Sequence, residues 1–133
     1  LVETYKVPAV KGESEDAELA VFYFGKGQGG SVDDNLKRWV GQFEQPNGKP
    51  SAEAAKTSKE TFNGLSVTMV DLTGTYTASM GPMAPKVNKP GSRLIGAIVE
   101  GPEGPVFFKL VGPTKTVDKA RGEFKKLLGT LNR

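Results

Sequence analysis

The residues that could do chemistry fall into a few short stretches. Gly25, Gly27 and Gly30 stand in G-x-G-x-x-G spacing, and Ser31 follows directly. Backbone N–H groups exposed by such glycines, together with the N-terminus of a following helix, can hold a phosphate or another anion. Gly27, Gly29, Gly30 and Ser31 are therefore candidate binding positions. Met80 and Met83 have M-x-x-M spacing, and thioethers are soft ligands suited to Cu(I). Without His or Cys to complete a site, packing of the loop by flexible Met side chains is their more ordinary use. Lys86 in the same loop is a third candidate contact. Glu13, Glu15 and Asp16 cluster as acids but lack the D-x-[DN]-x-[DN]-G order of a calcium loop. Lys109 shares one face of the last strand with Phe107 and Val111 and is expected at a partly covered edge, which suits either a perturbed lysine or one whose stem snorkels to water.

Several chemistries are excluded by composition. The chain has no His and no Cys, which removes Ser-His and Cys-His catalysis, imidazole and thiolate metal sites, and disulfides. No Ser-x-x-Lys occurs, so the common histidine-free serine nucleophile is missing too. An enzyme built from this chain would have to rely on carboxylates, lysine or tyrosine. No cofactor is implied.

The elements that must position these residues centre on LAVFYFGKGQGGSVDDNLKRWVGQF, residues 19–43. Leu19, Val21 and Tyr23 alternate with Ala20, Phe22 and Phe24, so both faces of this strand are apolar, as in a central strand covered on both sides. Glycines end it. Ser31 is an N-cap, and Asp33 and Asp34 suit the positive end of the helix dipole. Leu36, Trp39, Val40 and Phe43 then form one stripe, with Trp39 as the anchor against the sheet, while Asn35, Lys37, Arg38 and Gln42 take the other side. A dinucleotide-binding unit would need a second parallel strand ending in an acidic residue soon afterwards. The Pro/Gly-bearing segment that follows does not supply it.

Elsewhere, Thr4–Val7 reads as a short strand stopped by Pro8, and Lys11–Asp16 as a turn. Ala54–Phe62 suits a charged sheet edge, Asn63-Gly64 a hairpin turn, and Leu65–Leu72 a strand that continues to Thr77 past a bulge at Gly74. Ala78–Gly91 is a long Pro/Met/Gly loop, of the kind that often carries function. Ser92–Glu100 and Pro105–Val111 form a second hairpin, which Gly112-Pro113 breaks. Thr116 caps a final helix with the stripe Val117, Ala120, Phe124, Leu127, Leu128 and Leu131. Hairpin connections dominate, which predicts an antiparallel sheet of the α+β class covered by two amphipathic helices: one domain over residues 1–133.

The net charge is +3, with acids concentrated near the start and bases in the last helix. There the basic residues alternate with Asp118 and Glu123 opposite an apolar stripe, which reads as a solvated helix face rather than a nucleic-acid interface. No run reaches the length of a membrane-spanning helix.

VFYFGKGQGGSVDDNLKRWVGQF, GTYTASMGPMAP and FFKLVGPTKTVDKARGEFKKLL together resemble small, uncharacterised bacterial proteins predicted to be exported or lipid-anchored. FFKL-x-GP running into a final helix is similar to the PsbP-like α/β/α sandwich. The resemblance implies a binding or assembly module rather than an enzyme, with another protein as partner, a removed leader, and a further strand before Thr4. No histidine exists to match a metal position of the photosystem members. The expected function is therefore non-enzymatic recognition through the 78–91 loop or the 25–31 turn. The alternative is a small-ligand protein that holds an anion on the amides of the glycine turn.

Overall fold

Long apolar runs such as Leu94–Val99 bury both faces of a strand, and the structure shows what covers them. The computed structural model describes residues 2–12, 15–23, 25, 30–45, 47–77, 88–102 and 104–129. In chain order these form β1 (Val2–Val7), β2 (Ala17–Tyr23), α1 (Val32–Val40), β3 (Phe43–Glu44), α2 (Ser51–Ala54), β4 (Lys56–Phe62), β5 (Leu65–Tyr76), β6 (Lys89–Gly101), β7 (Gly104–Pro113) and α3 (Thr114–Gly129). The strands make one antiparallel, seven-stranded sheet in the order β1-β2-β7-β6-β5, with β3 and β4 pairing opposite ends of β5. The chain is α+β, as its hairpin connections predict.

α1 and α3 cover opposite faces. Leu36, Trp39 and Val40 of α1 pack with Phe43, Val70, Leu72, Leu94, Ile98 and Phe107. Val117, Phe124 and Leu128 of α3 pack with Val67, Met69, Ile95, Ala97, Val99, Phe108 and Leu110. Alternation along β6 and β7 thus feeds two separate cores from one apolar run. Gly96 is required by the first: a Cβ there would lie 2.7 Å from the Trp39 ring, which also meets Phe107 edge-on at 6.4 Å. Trp39 is the anchor its place on the stripe predicts. On the other face Arg93 fastens α3, with Nε 2.8 Å from Asp71 Oδ1 and a further ion pair to Asp118.

Local signals account for most boundaries. Asn63 and Gly64 take φ values of 52° and 81°, the left-handed pair that a two-residue hairpin needs. The β5–β6 register shifts between Gly74 and Tyr76, and β4 is the charged edge. Four expectations need correction. β2 is second from the sheet edge rather than central, because β7 separates it from β6. Phe43 leaves the helix and enters β3 but stays in the same core. β7 continues through Gly112-Pro113, since Gly112 is where Ala17 approaches too closely for any side chain. Finally, α3 begins at Thr114, so Thr116 lies within the helix, fully buried, instead of capping it.

Candidate functional site

The strongest polar arrangement lies beside α1, on the sheet face that α1 covers. Ser31 caps the helix as expected: its Oγ accepts from Asp34 N–H at 3.1 Å. One stripe round from the apolar residues run Asn35, Arg38 and Gln42. Asn35 is 1% exposed; its Nδ2 donates to Ser31 O at 2.8 Å, and its Oδ1 accepts from Arg38. Gln42 follows the helix C-cap, and its backbone O accepts from both N–H and Oγ1 of Thr77, at 2.8 and 3.0 Å. The Gln42 side-chain oxygen accepts from Lys109 Nζ, which also sits 5.6 Å from the Tyr76 ring centroid.

Lys109 comes from the interior strand β7, between Ala20 of β2 and Gly96 of β6, not from a sheet edge. These small neighbours leave space for its stem. Burial, and then the nearby Arg38 guanidinium, push its amine down to about 8, with Glu18 opposing. Burial, and then Glu18, raise the Tyr76 phenol above its ordinary value. Among the described residues, no carboxylate forms an ion pair with Arg38 or Lys109. Two cations, a carboxamide and a phenol therefore converge; Glu18 is near enough to act on Lys109 and Tyr76, but among the described residues it forms no ion pair with either cation.

Of the candidates read from the sequence, the structure brings Gly30 and Ser31 to the start of α1. Gly30 has φ +83°, which favours glycine. Gly27, Gly29, Met80, Met83 and Lys86 lie outside the described residues. Glu15 and Asp16 are engaged elsewhere, by Lys89 at 3.1 Å and by Ala9 N–H at 2.7 Å. No group of three His, Cys, Asp or Glu that could hold a metal occurs among the described residues. The sequence singles out Lys109 and places Asn35, Arg38 and Gln42 opposite the apolar stripe; Arg38 is exposed there, whereas Asn35 is buried. Their shared helix side, together with a lone lysine within FFKLV, was the available signal.

The fold and site define an α+β sandwich with a cationic cluster between one helix and its sheet. No family model matches the chain, and comparison with curated proteins finds no match. Among solved structures, it is similar to the protein of unknown function PA94 from Pseudomonas aeruginosa, described as a proposed regulator. The two are 12% identical with a TM-score of 0.61, over 100% of this chain and 83% of that one. At that identity the likeness concerns the fold alone.

Proposed function

We propose that the protein is a non-enzymatic binding or assembly domain that holds an anionic group of another protein at Arg38 and Lys109. The observation that carries this reading is the convergence of those two cations without an ion-paired carboxylate among the described residues. An incoming carboxylate would relieve their mutual repulsion and take a charge-assisted hydrogen bond from each. The chain's layout supports a binding role as well. Thr77, the last described residue before segment 78–87, is fastened to Gln42, while Gly30 and Ser31 open the helix that carries Arg38. Both segments singled out for recognition thus adjoin the cluster in the chain.

Export and kinship with the PsbP-like sandwiches belong to the same proposal, with a protein rather than a nucleic acid as partner. No helix among the described residues is long and apolar enough to cross a membrane. Fractionating bacteria that express the full gene product tests export: accumulation only in the cytoplasm would count against it.

The binding test is calorimetric titration with an oligoglutamate peptide and, separately, with inorganic phosphate. Peptide binding that weakens about ten-fold in both Arg38→Gln and Lys109→Met, a loss typical of one charged hydrogen bond, supports the proposal. Unchanged binding in the variants overturns it. Phosphate binding that is lost in Gly30→Val but kept in Arg38→Gln would favour the small-anion reading at the glycine turn.

A further inference from the structure

A cleft on the α3 face lies on the far side of the sheet from the Arg38–Lys109 cluster. Its floor is Leu19 and Leu110, one wall is α3 through Ala120, Phe124 and Leu127, and the other is the segment Val7–Val10 leaving β1. The cavity measures about 510 Å³, a size ordinary for small-molecule sites. The Pro8–Val10 segment is a pinned strap: Ala9 N–H donates to Asp16 Oδ1 at 2.7 Å and Val10 N–H to Thr116 Oγ1 at 3.4 Å. The buried Thr116 hydroxyl is thereby engaged, and the rest of the interior is apolar. Charge occurs at the rim, in Lys119 and Glu123. Glu123 lies 3.9 Å from Lys126, whereas among the described residues no carboxylate forms an ion pair with Lys119. Leu127, at the other end of the cleft, remains 39% exposed.

We propose that this cleft holds a fatty-acid-type carboxylate, its aliphatic chain along α3 towards Leu127 and its head group at Lys119 beside the strap. From Lys119 to Leu127 the helix rises about 12 Å, which suits one extended medium-length chain. Each methylene removed from water against Leu19, Leu110 and Phe124 favours binding, and Lys119, with no ion-paired carboxylate among the described residues, favours an acid over an amine, with Glu123 at the same rim opposing. The strap and α3 are tied together through Thr116, so the cleft is largely formed before a ligand arrives.

Laurate, kept below the concentration at which it forms micelles, is the probe, with laurylamine as the control of opposite charge. Titration followed by calorimetry and methyl NMR should show saturable one-to-one binding of laurate and weaker binding of laurylamine. Lys119→Glu should weaken laurate by about three-fold or more, as for an exposed ion pair, and favour the amine. Ala120→Trp should fill the cleft and abolish binding. Should that variant fail to fold, Leu127→Glu at an already exposed position carries the same test and should also abolish binding. Absence of saturable binding, a preference for laurylamine, or laurate binding unchanged in Leu127→Glu would overturn the proposal. A concentration-dependent dimer dispersed by Leu127→Glu would make the cleft an interface between two copies and overturn it equally.

Discussion

Lys109 is a cation held where its charge is disfavoured. Its amine is pushed down to about 8 from an ordinary 10.5, first by burial and then by Arg38. Between those values the unfolded chain binds more protons at this position than the folded one, so stability rises with pH across that window. Below pH 8 the cost of the buried charge is present in full. Tyr76 has the opposite effect at higher pH: its phenol is raised from 10.0, so the stability it contributes is lost as pH climbs above the ordinary tyrosine value. Urea titrations at pH 7 and pH 9 should show a gain of about 1 kcal/mol, allowing for solvent screening. That gain should be absent in Lys109→Met. Gly96 acts at the same scale through shape alone. A Cβ at Gly96 meets Trp39 at 2.7 Å and Val70 at 3.1 Å, so Gly96→Ala should cost about 1–3 kcal/mol in denaturant unfolding through overpacking.

At the scale of elements, α1 carries two stripes. Leu36, Trp39 and Val40 bury it, and Asn35 with Arg38 forms the polar side that reaches the cluster. The apolar stripe was legible because hydrophobic periodicity is a strong local signal; the polar side was legible as a side but not as part of a cluster, because nothing local says which strand lies beneath it. Only the arrival of β7 beneath them turns Arg38 and Gln42 into neighbours of Lys109. The β5 bulge and the Asn63-Gly64 turn were legible for the same local reason. Gly112-Pro113 misled because its glycine answers to Ala17, far away in sequence. α3 depends on Arg93 as well as on its apolar side. Arg93→Met should leave Asp71 unpaired and lower stability by about 2 kcal/mol, less than for a fully buried pair since Asp118 is half exposed. The corresponding drop in melting temperature is on the order of 8 °C.

For the whole molecule, one sheet separates two cores and two surfaces. The α1 side carries the cations and the α3 side carries the apolar cleft. Class and hairpins could be read from the chain, but the strand order could not. β2 sits between β1 and β7 through pairing across most of the sequence, and no local pattern encodes that choice. The cluster shares this origin, since Glu18, Arg38, Gln42, Tyr76 and Lys109 come from widely separated elements. The cores are independent enough that Leu128→Ala, deep in the α3 layer, should lower stability by roughly 2–5 kcal/mol while leaving Lys109 titration unaltered.

The proposal that Arg38 and Lys109 await an anion is tested most directly by the titration of the Lys109 amine itself. NMR of protein labelled with ¹⁵N at the lysine Nζ follows that amine with and without oligoglutamate peptide, in wild type and in Arg38→Gln. The expected midpoint is about 8 for the free protein, moving upward when the peptide is added and also when the Arg38 charge is removed. An ordinary lysine midpoint, or one that neither the peptide nor Arg38→Gln displaces, would contradict a cationic recognition site at this place.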